Sequence, residues 1–149
     1  MWSVASKSLV STYTGHANVD SYVDAVAAMP DGRRILSTGA GDVHVWQLLT
    51  GTLERTILRC PSWVGCTPRS SICQRAKHLL ALPDNQHALS GSTDNTVKLF
   101  NVDDGALLRT FKHHTSTVYC LALLPDGRRF VSGSDDNTAR IVEIGLAPQ

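Results

Sequence analysis

Pro30-Asp31-Gly32-Arg33-Arg34-Ile35-Leu36-Ser37 returns 53 residues later as Pro83-Asp84-Asn85-Gln86-His87-Ala88-Leu89-Ser90, and 42 residues after that as Pro125-Asp126-Gly127-Arg128-Arg129-Phe130-Val131-Ser132. A period of roughly 20 to 50 residues decides an architecture before any local motif does, because one copy cannot bury its apolar face alone. Each copy leads through a turn of small residues into a short apolar run: Gly41-Asp42-Val43-His44-Val45-Trp46, Asp94-Asn95-Thr96-Val97-Lys98-Leu99-Phe100 and Asp136-Asn137-Thr138-Ala139-Arg140-Ile141-Val142. Three copies of one unit are therefore present.

A further stretch repeats without gaps. Residues 2–16 lie under 46–60 and under 100–114, with Leu9, Leu53 and Leu107 in register, then Thr12, Thr56 and Thr110, then Tyr13, Ile57 and Phe111. The chain thus begins inside a unit, at the end of a third strand, and its first complete strand is an orphan fourth strand at about 7–14. The units themselves span about 15–57, 59–111 and 113–145, with an insertion at about 61–75.

Each unit reads as short strands. Val118, Leu121 and Leu123, or Val97, Leu99 and Val102, recur with a period near two, as half-buried strands require, and no useful helical stripe competes. Asp-Gly, Thr-Gly and Asp-Asn pairs between them tolerate positive φ, the chemistry of tight hairpins. The expected strands are 8–13; 25–29, 34–38, 43–47 and 52–57; 77–82, 87–91, 97–101 and 106–111; and 118–124, 129–133 and 139–143, the last unit lacking a fourth.

These residues resemble the WD-repeat family of β-propellers, over almost the whole chain outside the insertion. The family pattern runs Gly-His, an apolar strand, Pro-Asp-Gly, Ser-Gly-Ser, an Asp-x-Thr turn and a strand ending in Trp-Asp. Its fullest copy here carries His114, Val118, Leu121, Pro125-Asp126-Gly127, Ser132-Gly133-Ser134 and Asp136-Asn137-Thr138. The resemblance implies an all-β fold: WD-repeat β-propeller blades of four antiparallel strands, three blades, an incomplete propeller. It also implies a buried polar network in each blade, since a satisfied network fixes strands that enclose little interior. Mapped onto this sequence, that network is His16, Ser37 and Trp46 in unit one, Ser90 and Asp94 in unit two, and His114, Ser132 and Asp136 in unit three. Val142 stands where the third unit's Trp would be, Phe100 and Cys60 replace Trp and His in the second, and the first unit's turn is one residue short. The Trp-Asp dipeptide itself is absent, its places holding Trp2-Ser3, Trp46-Gln47, Phe100-Asn101 and Val142-Glu143.

Composition excludes several other classes. A 149-residue chain with 42% hydrophobic residues and a formal charge of +1 is neither a disordered tail nor a fibre, and it has no global basic excess to draw it to nucleic acid or anionic membrane. No apolar run approaches the ~20 residues that span a bilayer, and the N-terminus does not read as a signal peptide. Cysteines at 60, 66, 73 and 120 are spaced as free thiols rather than as a disulfide framework, which suits a cytoplasmic or nuclear protein.

Several residues invite chemical readings, and each has a plainer one. His16 and Ser37, or His114, Ser132 and Asp136, supply Ser-His-Asp residue types, but at repeated structural positions, so the chain reads as no enzyme. Asp103-Asp104 and Asp135-Asp136 sit in tight turns where Asp bonds its own backbone, and Cys60, Cys66, Cys73 and His78 lack the close pairs of structural zinc, so no metal or other cofactor is expected. The one locally basic stretch, 59–77, holds Arg59, Arg69, Arg75 and Lys77 with no acid. It offers an alternative function, binding of nucleic acid or an acidic polymer, though a solvated insertion is the plainer reading.

In the family, loops on one face receive protein or peptide partners. The resemblance places Asn18, Asp20, Tyr22, Trp63, Arg69, Thr93, Ser116 and Asp135 on that face and implies a scaffold for protein–protein interaction. A blade takes about 40 to 45 residues and propellers typically close with about 4 to 8 blades. Three blades therefore predict part of a larger propeller or a self-assembly, for instance a head-to-tail dimer of six blades.

Overall fold

The computed structural model describes residues 2–3, 8–9, 11–16, 22–39, 41–57 and 75–146, the backbone alone at 2–3 and 8–9. In chain order its strands are β1 (Trp2–Ser3), β2 (Ser8–Leu9), β3 (Ala25–Ala28), β4 (Arg34–Gly39), β5 (Asp42–Gln47), β6 (Leu53–Ile57), β7 (Ala76–Ala81), β8 (His87–Ser92), β9 (Val97–Asn101), β10 (Leu107–Phe111), β11 (Val118–Leu123), β12 (Arg129–Ser134) and β13 (Ala139–Glu143). They pair with their sequence neighbours in antiparallel sheets: β3 to β6 form blade I, β7 to β10 blade II, β11 to β13 blade III, and β1 pairs β2 separately. The protein is all-β, an unclosed array of propeller blades with no helix among the described residues.

The repeated Pro-Asp-x turn explains why first and second strands fold back at the same place three times. Asp31 Oδ1 accepts from the Arg33 and Arg34 amides, Asp84 Oδ1 from Gln86 and His87, and Asp126 Oδ1 from Arg128 and Arg129, at 2.7 to 3.1 Å. The residue after each Asp is left-handed: Gly32 at φ 65°, Asn85 at 60° and Gly127 at 65°. Gly and Asn tolerate that region best, which accounts for Asn85 at a glycine position.

Register follows the gap-free alignment. Trp46 faces Leu53 and Phe100 faces Leu107, and in the short N-terminal pair Trp2 faces Leu9. Of the expected strand at 8–13, the described residues show a ladder over Ser8–Leu9, paired with β1, while 11–13 lie outside any strand and residue 10 falls outside the described residues.

The core lies between blades. Leu36, Val43, Val45 and Ile57 of blade I meet Ala76, Leu79, Ala88, Phe100 and Val102 of blade II. Leu89, Val97, Leu99 and Phe111 on the opposite face of blade II meet Val118, Leu121, Phe130 and Ile144 of blade III. Each fully buried Val, Leu or Phe contributes about 1.5–3 kcal/mol, so the blades hold one another together more than each holds itself. Polar clasps cross the same junctions. The Arg34 guanidinium donates to Asp103 Oδ1 at 2.6 Å and to Asn85 O at 2.7 Å, Lys77 ion-pairs Asp24 at 2.8 Å, and Arg109 reaches Ile144 O at 3.2 Å. No helix among the described residues is long and apolar enough to cross a membrane.

Candidate functional site

The most complete buried network is in blade III. His114 comes from the loop before β11, Ser132 from β12 and Asp136 from the β12–β13 turn, three segments that the antiparallel hairpin brings to one end of the blade. His114 Nδ1 donates to Asp136 Oδ2 at 2.7 Å, which leaves Nε2 to accept from the Ser132 hydroxyl at 2.8 Å. The Asp136 carboxylate also accepts from Thr138 Oγ1 at 2.6 Å and from the Thr115 amide at 3.1 Å. These donors, the Thr138 hydroxyl foremost, hold its carboxyl well below the usual carboxylate range. A second imidazole joins: His113 Nε2 lies 2.9 Å from Ser132 Oγ and donates to the lone pair left free. It supplies a hydrogen-bond donor in the blade whose Trp position is Val142. Burial pushes the His113 imidazole down, with His114 and Arg140 adding to the shift.

The Ser132–His114–Asp136 chain has the distances of a catalytic triad. Ser132 is 0% exposed, however, and its hydroxyl is shared by two imidazoles, so no substrate carbonyl can approach it.

Blade I arranges the equivalent residues differently. His16 Nε2 bonds Ser37 Oγ at 2.8 Å, but the β4–β5 turn is short and brings no carboxylate to hydrogen-bond His16; Asp42 acts on it only through its charge. His16 instead stacks on His44, with ring centroids 4.1 Å apart, and His44 Nδ1 bonds the Tyr13 hydroxyl at 2.8 Å. Tyr13 in turn stacks on Trp46 at 5.0 Å, whose buried Nε1 finds no hydrogen-bond partner among the described residues. Burial lowers the His16 pKa and raises that of Tyr13. Trp46 therefore enters as a stacking surface, not as the donor of a Trp–Ser hydrogen bond.

In blade II the Ser90 Oγ is buried without a partner among the described residues, and Cys60, at the His position, lies outside them. Asp94 is occupied by its own turn and strand: Thr96 Oγ1 donates to Oδ1 at 2.6 Å and the Lys98 ammonium caps Oδ2. Sequence reasoning missed Lys98, His113, Tyr13 and His44. The His113-His114 doublet and the alternation of Lys98 with Thr96 and Phe100 were the available signals.

The chain topology puts the first residues of β3, β7 and β11 and the β8–β9 and β12–β13 hairpins, with the facing ends of β4 and β5, at one end of the array. Tyr22 stands there 64% exposed, Asp135 is exposed, and Thr93 and Ser116 are half-buried. Neighbouring loops are tied: Asn95 Nδ2 donates to Thr115 O at 3.2 Å, and Arg75 N donates to Thr93 Oγ1 at 3.0 Å. Asn18, Asp20, Trp63 and Arg69 lie outside the described residues, as do Cys60, Cys66 and Cys73. Among the described residues no group of three His, Cys, Asp or Glu could hold a metal, and Cys120 is a free, exposed thiol. The basic stretch gains no support as a polyanion site. Its Lys77 is already neutralised by Asp24.

Comparison with known proteins agrees with this geometry. The family model "WD domain, G-beta repeat" matches residues 7–47, 71–101 and 105–143. The match at 105–143 begins in the fourth strand of one blade and ends in the third strand of the next, so the repeat in sequence is offset from the blade in space. Autophagy-related protein 16 of Arabidopsis thaliana is 29% identical over 126 residues, 80% of this chain and 22% of that protein. Protein DOA1 of Saccharomyces cerevisiae is 43% identical over 44 residues, 30% of this chain and 6% of that protein. The chain thus spans under a quarter of the length of either relative.

Proposed function

Because the chain belongs to the WD-repeat family, whose domains generally bind protein partners, we propose that it is a non-enzymatic scaffold taking protein or peptide partners on the end of the array that carries Tyr22, Thr93, Ser116 and Asp135. One observation carries the reading: a large aromatic side chain, Tyr22, stays 64% exposed at the end of the array where hydrogen bonds tie the β8–β9 hairpin to the segments that lead into β7 and β11. A rigid platform with an exposed aromatic anchor loses little conformational entropy on binding. The partner-binding set extends to Asn18, Asp20, Trp63 and Arg69. We propose a cytoplasmic or nuclear location, which the cysteine spacing supports because it does not read as a disulfide framework. The likeness to Autophagy-related protein 16 supports the module and leaves that relative's process with the relative.

The test is selection of a random peptide library on the full chain. Peptides that bind should lose about 10-fold or more in affinity with Tyr22→Ala or Asp135→Arg, the effect of removing an interface anchor. They should bind Leu49→Asp unchanged, since Leu49 sits 81% exposed at the opposite end. Peptides indifferent to the first two variants and lost with Leu49→Asp would overturn the reading.

A further inference from the structure

The two junctions between blades both bury Leu, Val and Phe side chains, and they differ in the polar groups that tie them. At the I–II junction the ties include two ion pairs: Arg34 holds Asp103 Oδ1 at 2.6 Å and Lys77 holds Asp24 at 2.8 Å. The repeat shows what stands at those places one blade on. Arg34 becomes His87, whose imidazole stays within blade II on Asp84 at 2.7 Å, and Asp103 becomes Gly145. Asp24 becomes Lys77, and Lys77 becomes Tyr119. Among the described residues no ion pair crosses the II–III junction. Its polar ties run from Arg109 to Ile144 O and from Asn95 to Thr115 O, each 3.2 Å long and each to a neutral carbonyl.

Histidines stand at that junction instead. His78 pairs across the sheet with Gly91, and a Cβ added at Gly91 would lie 3.0 Å from Val118 Cγ1 of blade III. Residues directly opposite on neighbouring strands share a face, so His78 projects from the face of blade II that β11 covers. Its neighbour Lys77, the extra residue of a bulge, is turned to Asp24 of blade I. Of the titratable side chains on β8 and β11, His87 is held by Asp84, and Tyr119 and Cys120 are exposed. The His78 Nδ1 is buried without a partner among the described residues, and burial alone lowers its pKa. His113 lies between Phe111 of blade II and Phe130 of blade III, with ring centroids 6.4 and 6.2 Å away. Burial, His114 and Arg140 disfavour its cation; Asp136 favours it but is already engaged by His114, Thr138 and the Thr115 amide. Protonating either ring therefore puts a charge into an apolar junction with no uncommitted carboxylate among the described residues to receive it.

We propose that the II–III junction is an acid-released joint: mild acid protonates His78 and His113 and loosens blade III from blade II, while the Arg34–Asp103 and Lys77–Asp24 pairs keep blades I and II together. In the closed junction both imidazoles are held below the ordinary 6.5, and in the open one they return to it. Closure is therefore favoured in full above about 6.5, and opening takes up protons as pH falls through the closed-state values. With two protons bound, the open fraction rises by up to about 100-fold per pH unit. Opening also parts Asn95 from Thr115, at the end of the array that carries Thr93, Ser116 and Asp135. Hydroxyl-radical footprinting of the full chain, normalised to the exposed Leu49, measures both junctions at once. Lowering the pH from about 7.5 to about 5.5 should raise oxidation of Phe111, Leu121 and Phe130 several-fold and leave Leu36, Ile57 and Phe100 unchanged. The rise should be smaller in His78→Leu and in His113→Gln and absent from the double variant. Equal oxidation of the two sets in acid would refute the proposal, as would no rise at Phe111 and Phe130 before the circular-dichroism signal is lost, or a full rise in the folded double variant. The native-chain comparison decides the matter by itself should the double variant fail to fold.

Discussion

Blades II and III hold a serine at the same register position and surround it in opposite ways. Ser132 is enclosed by His113 and His114, with Asp136 behind, whereas Ser90 has no hydrogen-bond partner among the described residues. The apolar surroundings reverse the order. Blade II is covered on both faces, and Phe100, at the Trp position, is 0% exposed; the outer face of blade III is open, and Val142 at that position is only half-buried. Blade II is held by packing against both I and III, whereas blade III packs against blade II and is tied within itself by its hydrogen bonds.

The sharpest way to break this contrast is at the Trp position. Phe100→Ala should cost about 3–5 kcal/mol in chemical denaturation, by lost transfer energy plus a cavity, while Val142→Ala should cost less than about 1.5 kcal/mol. Equal losses at the two sites would remove the distinction between blades II and III.

The serines should respond in the reverse sense. Ser132→Ala strands one buried and one part-buried imidazole nitrogen and should cost about 1–3 kcal/mol, whereas Ser90→Ala, which deletes a buried hydroxyl without a partner among the described residues, should fall within about 0.5 kcal/mol of native or stabilise.

A smaller effect is the pH dependence. His16, His78 and His113, one in each blade, are held below the ordinary 6.5 chiefly by burial. A base whose folded pKa is depressed contributes stability that is complete above about 6.5 and is lost as pH falls through the folded pKa. Asp136, held low mainly by Thr138, adds a contribution that is complete above about 4 and lost below it. The denaturation midpoint should therefore be flat above pH ~7, decline below about 6.5 and fall further below about 4. His113→Gln, which keeps a donor for Ser132 but does not titrate, should make the first decline shallower; an unchanged profile would show that His113 is not among the groups that set it.

Much of the strand layout is legible in the residues. The expected 97–101 and 139–143 match β9 and β13, and most other boundaries fall within a residue, because period-two apolar spacing and Asp-centred turns are local. The N-terminal strand is the exception. The alignment reads residues 8–13 as one strand, whereas among the described residues 8–9 pair with β1 and 11–13 follow Tyr13 onto the Trp46 ring outside any strand. The networks were legible only as residue types. Asp94 and Lys98 stand four residues apart and could have been read as a pair, but the hydroxyl that His113 shares with His114 lies 19 residues away and is brought in by the β11–β12 hairpin.

Three repeats, their strand order, their turns and their cross-strand register are settled by the chain's own periodicity, since each is decided within a few residues. Which hydrogen bonds close each blade, and which side chains pack between blades, are settled only in three dimensions. His114 meets Ser132 across 18 residues because the β11–β12 hairpin folds back, and Arg34 meets Asp103 across 69 because blade I packs on blade II.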